Sequence, residues 1–132
     1  MSTLERPRPE GLLHNPAFSQ VVVASGTRTI YTAGQVSIDE DGALIGAGDL
    51  AAQTEQAMRN IGLALAAARA SYADIVKITT YVVNYKPEDR VVISKARAPF
   101  FASGMPASTL VGVTALALPE WLVEIEVVAV ID

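Results

Sequence analysis

Hydrophobic and polar residues recur along this chain with two different periods, and the switches between them mark its elements. Residues 1–18 follow neither period: Arg6-Pro7-Arg8-Pro9, Gly11 and Asn15-Pro16 predict an extended lead-in. Apolar runs from Gln20 to Ala24 and from Thr29 to Ala33, joined by Ser25-Gly26-Thr27, predict a β-hairpin. From Leu50 the period becomes helical, with Leu50, Thr54, Ala57, Met58, Ile61, Leu65 and Ala68 on one side and Gln53, Gln56, Arg59 and Asn60 on the other. Asp49 is placed to cap that helix. Residues 74–84 are β-branched or aromatic for the most part and predict the longest strand.

Pro87 suits the first turn of a second helix, predicted to run through Val91, Ser94, Ala98 and Phe101, with Pro99 kinking or shortening it. Two final strands follow, about 108–114 and 121–131. The order of hairpin, helix, long strand, helix and two strands departs from strict βαβα alternation. It predicts an α+β fold, a mixed sheet with both helices on one face, in a single domain over residues 1–132.

The last strand holds the feature that most needs explaining. Alternation sets Glu124 and Glu126 on one face with Leu122, Val128 and Val130, opposite Trp121, Val123, Ile125, Val127 and Ala129, and both faces read as largely buried. A carboxylate among such residues is costly unless something pairs with it or a wet cleft receives it. Glu124 is therefore either a carboxylate holding subunits in register or a reactive group. Glu126 reads as structural or solvent-facing.

Composition narrows the chemistry. Hydrophobic residues make up 51% of the chain and charged residues 18%, an apolar balance that burial between subunits would resolve. A net charge of −4 argues against nucleic acid as a partner. With no cysteine there is no disulfide, thiolate nucleophile or zinc–thiolate site. The N-terminus lacks the apolar core of a signal peptide and no run is long enough to span a membrane, so a cytoplasmic location is expected. The one histidine, His14, lies in the lead-in, which removes a Ser-His pair from consideration. Arg59, Arg69, Arg90 and Arg97 read as solvated helix faces.

Thr32-Ala33-Gly34-Gln35-Val36, Asp74-Ile75-Val76-Lys77, Pro106-Ala107-Ser108 and Val123-Glu124-Ile125-Glu126, in this order, resemble the RidA/YjgF family of reactive intermediate deaminases, also called L-PSP endoribonucleases. The resemblance runs from about residue 16 to the end. It implies a chorismate-mutase-like α+β fold and a homotrimer with clefts between subunits. It also implies hydrolysis of 2-imino acids or their enamine tautomers to 2-keto acids and ammonia, with no metal and no organic cofactor. An arginine of the family signature grips the substrate carboxylate, and a glutamate on the last strand positions the attacking water.

By position Glu124 matches that glutamate and Gly34 is retained, whereas Ser108 stands where the arginine is expected. Phe18 and Ala33 fall where active members have tyrosine and serine. The resemblance thus nominates Glu124 as catalytic and Ser108, Thr109, Gly34, Ala33 and Phe18 as ligand-binding. A serine hydroxyl does not reproduce the planar fork of a guanidinium, and its loss from a partly buried cleft costs on the order of a hundredfold in rate. An arginine from a neighbouring chain is one way to replace it. Three readings follow: an imine or enamine hydrolase weak on 2-imino acids, a non-catalytic trimer that binds a small metabolite, and a ribonuclease or translation inhibitor.

Overall fold

The structure is a computed structural model describing residues 1–132. Strands β1 (Thr3–Glu5), β2 (Val23–Ser25) and β3 (Arg28–Tyr31) precede helix α1 (Leu50–Ala67); β4 (Ile75–Val83), helix α2 (Asp89–Arg97), β5 (Ala107–Val113) and β6 (Val123–Ile131) follow. The main sheet has the order β3-β6-β4-β5, with β4 and β5 parallel and β6 antiparallel to both of its neighbours. It is a mixed sheet in an α+β fold, as the order of elements predicts. No helix is long and apolar enough to cross a membrane.

The core lies between the sheet and its helices. Met58, Ile61 and Leu65 of α1 and Ile93 of α2 meet Ile78 and Val82 of β4 and Val123, Ile125 and Val127 of β6, all buried. Asp49 caps α1 as expected, accepting from the Ala52 amide at 3.0 Å. Gly62 makes room in α1 for Tyr72, whose hydroxyl donates to the Met58 carbonyl at 2.7 Å and occupies the space a Cβ at Gly62 would need.

Several expectations are corrected. The hairpin does not form: β2 pairs with β1, so the lead-in itself supplies a strand, and β3 pairs with β6. The turn between β2 and β3 is pressed onto β6 at Gly26, where a Cβ would lie 2.6 Å from the Ile131 carbonyl oxygen. Gln53 is buried rather than solvated. Its amide donates to the Gly46 and Glu120 carbonyls and accepts from the Leu122 amide, tying α1 to the β5–β6 link.

Helix α2 ends at Arg97 and tightens into a 3-10 turn over Ala98–Phe101, the shortening that Pro99 predicts. Its buried positions are Ile93, Arg97 and Phe101, so Arg97 is turned to the core and is not part of a solvated face. Ile93, the bulkiest apolar residue of the helix, sets this face against the core. Finally, only one face of β6 is covered. Val123, Ile125, Val127, Ala129 and Ile131 are buried under the helices, while Glu124, Glu126, Val128 and Val130 are half-exposed.

Candidate functional site

Glu124 is held by its surroundings without being satisfied by them. It stands opposite Tyr81 of β4, and Glu126 stands opposite Thr79. Tyr81 donates its hydroxyl to Glu126 Oε1 at 2.8 Å, which raises the phenol's pKa and commits Glu126 to a structural bond. No donor of the chain reaches the Glu124 carboxylate, which stays free for water or a ligand.

The loop after β3 closes on that carboxylate. Gln35 and Ile125 exchange backbone hydrogen bonds of 2.7 and 2.9 Å, which brings Gly34 against the neighbouring Glu124. A Cβ at Gly34 would sit 2.5 Å from Glu124 Oε2. Gly34 does not adopt a positive φ, so its role is the close approach of backbone to side chain rather than a left-handed kink. Ala33 is exposed beside it.

The other nominated residues lie elsewhere. Ser108 registers with Ile78 and Leu110 with Thr80, so both point to the helix side of the edge strand β5. Thr109 registers with Thr79 on the open face and accepts from Lys77 Nζ at 2.7 Å. Phe18 lies in the lead-in, which is tied to the start of β5. The Ser19 amide donates to the Pro106 carbonyl at 3.0 Å and the Ser19 hydroxyl to the Met105 carbonyl at 2.6 Å.

Phe18 and Ser108 thereby share a cavity of about 330 Å³ with Arg90, Ser94 and Arg97 of α2. Within one chain, then, the nominated residues divide between opposite faces of the sheet: Glu124, Gly34 with Ala33 beside it, and Thr109 on the open face, and Phe18 and Ser108 on the α2 side.

Arg97 is the residue that sequence reasoning assigned elsewhere. It is 6% exposed, its Nη1 donates to Thr80 Oγ1 at 3.1 Å, and its buried Nε has no acceptor. Burial pushes its pKa down to about 10, which still leaves it charged at neutral pH. Its position four residues after Ile93, on the stripe that faces the core, is the signal that could have found it. No group of three or more His, Cys, Asp or Glu side chains is arranged to hold a metal ion.

The sequence profile described as Endoribonuclease L-PSP matches residues 12–131. The chain belongs to that family. A RutC family protein of Pyrococcus horikoshii is 32% identical over 96% of this chain and 93% of its own length. The rat 2-iminobutanoate/2-iminopropanoate deaminase is 31% identical over 86% of this chain and 80% of its own length. A Rid family protein of unknown function from Yersinia pestis, YyfB, is 39% identical with a TM-score of 0.91, covering 96% of this chain and 98% of that one. The L-PSP family fold therefore holds from the lead-in to β6. Ser108 of β5 and the Arg97 guanidinium of α2 line one cavity of this family member.

Proposed function

We propose that this protein is a cofactor-independent hydrolase of small imines or enamines, acting in the cytoplasm as a homotrimer whose clefts join the open face of one copy to the α2 side of the next. The observation that carries the reading is Glu124, half-exposed and without a donor, seated against the backbone of Gly34. In the proposed reaction Glu124 takes a proton from water as the water oxygen bonds to the imine carbon. Glu124 returns that proton to the imine nitrogen to give a carbinolamine, whose hydroxyl proton passes to the same nitrogen as the C–N bond breaks, so that ammonia leaves and a carbonyl compound remains. The deaminase name of the rat relative supports a 2-imino acid as the substrate class.

Support for assembly comes from the sheet. Tyr31 is 76% exposed and Val111 37% exposed on a face that also carries half-exposed Val128 and Val130, more apolar surface than a lone sheet face usually leaves to water. A net charge of −4 weighs against the ribonuclease reading. Ser108 offers one hydroxyl where an arginine would offer two parallel donors. Turnover of small 2-imino acids is therefore expected below that of relatives with arginine at this position.

The test is ammonia release from freshly generated 2-aminoacrylate, followed for the wild type and Glu124→Gln. The expected result is a measurable wild-type rate that falls at least about a hundredfold in the variant. Equal rates in the two proteins would overturn the role of Glu124. A wild type that binds the ketoacid product but releases no ammonia would favour the non-catalytic reading.

A further inference from the structure

Buried cations in folded proteins are paired, because an isolated charge removed from water is strongly destabilising. Arg97 has no carboxylate partner. The chain's salt bridges are Met1 with Asp132 and Arg59 with Glu55, and neither includes Arg97. The one side-chain acceptor it meets is the neutral Thr80 hydroxyl, and its Nε is the sole buried side-chain polar atom of the chain without a partner. Thr80 engages Nη1, and neither Nε nor Nη2 of the same guanidinium meets an acceptor within the chain.

The cavity beside this guanidinium has the matching chemistry. Arg90 and Lys95 add two further cations at its margin, Ser94 and Ser108 add hydroxyls, and no acidic residue lines it. Ala17, Phe18, Val91 and Leu110 give the wall an apolar part beside the polar Asn15, so the space suits an organic anion with a small hydrocarbon part better than a fully polar ion. A volume of about 330 Å³ holds a molecule of a few carbon atoms with room to spare.

We propose that the cavity between α2, β5 and the lead-in is a binding site for a small organic carboxylate, with Arg97 as its principal cation and Ser108 as an auxiliary donor. The choice of a 2-oxo or 2-imino carboxylate rests on the hydrolase reading; the existence of the site does not. Binding from α2 instead of β5 also shifts the ligand relative to Glu124, so recognition can persist while the rate stays low.

The test uses the full-length wild-type protein labelled with ¹⁵N, following the Arg97 Nε–H resonance while 2-oxobutanoate, butan-2-one or inorganic phosphate is added in separate titrations. The expected result is a saturable shift with 2-oxobutanoate, none with butan-2-one, and a weaker response to phosphate. Arg97→Met is expected to weaken 2-oxobutanoate binding at least about tenfold, and Arg97→Lys to lose less. A resonance unmoved by 2-oxobutanoate, or moved by phosphate alone, overturns the proposal, and the wild-type titration decides this even if the variants fold poorly. Binding unchanged in Arg97→Met also overturns it and leaves the Glu124 hydrolase reading standing. Arg97-dependent binding in a protein that releases no ammonia upholds the site and rejects the hydrolase.

Discussion

Under α1 and α2, β6 shows Val123, Ile125 and Val127 to a dry core; on its other face the same strand shows Glu124, Glu126 and Val128, half open to water. Polar groups differ accordingly. On the covered face Gln53 has its hydrogen bonds made, and Thr80 is bonded to Arg97. Arg97 alone there keeps an unmet donor, and on the open face Glu126 is bonded while Glu124 is bare. Each face thus leaves one charged group unsatisfied, a cation on one side and an anion on the other. Structural roles use up hydrogen-bonding capacity; the two groups with capacity left over are the ones available to a ligand.

This contrast can be broken from either side. The largest effect is expected at Gly34, where alanine would push the Glu124 carboxylate aside. Because that carboxylate is the free end of a flexible side chain, the fold should survive while kcat falls by up to about a hundredfold, or about 2.7 kcal/mol of transition-state stabilisation. Activity at saturating substrate beside a thermal melt checks the split.

Next comes Gly62→Ala on the covered face. Helix propensity alone favours alanine by about 1 kcal/mol, yet the new methyl would collide with the Tyr72 hydroxyl, so a net loss of about 2 kcal/mol in urea unfolding is expected. Arg97→Met has the opposite sign. Replacing an unpaired buried cation by an apolar chain of similar length is expected to stabilise the fold by about 1 kcal/mol, while carboxylate binding is lost.

Tyr81→Phe should have the smallest effect, read as a change in pH dependence. The hydrogen bond to Glu126 raises the Tyr81 pKa, so its stabilisation is complete below the ordinary phenol value of 10.0 and fades as pH rises through the raised value. The variant should lack that alkaline decline.

The fold was largely legible in the sequence because α1, β4 and β6 are long and strongly periodic, and their limits fall within a residue or two of the pattern. The hairpin was not legible. A turn signal says that a chain reverses but not which strand receives it, and here β1 and β6 compete successfully for β2 and β3. Glu124 stood out as a carboxylate on an apolar strand, and Gly34 was nominated by the family resemblance. The contact between them depends on the Gln35–Ile125 bridge, which no local pattern encodes. Arg97 was hidden by its own type: arginine on a helix is usually solvated, and here it lies one turn beyond Ile93 on the face that meets the core.

Mixing two variants tests the central claim that the Glu124 and Arg97 groups serve one cleft formed between copies. Glu124→Gln and Arg97→Met, each impaired alone, are unfolded together, refolded and assayed for ammonia release from 2-aminoacrylate. Random assortment should restore about a quarter of the clefts to the wild-type pair, giving activity well above either variant. A mixture no more active than its two components would contradict the account.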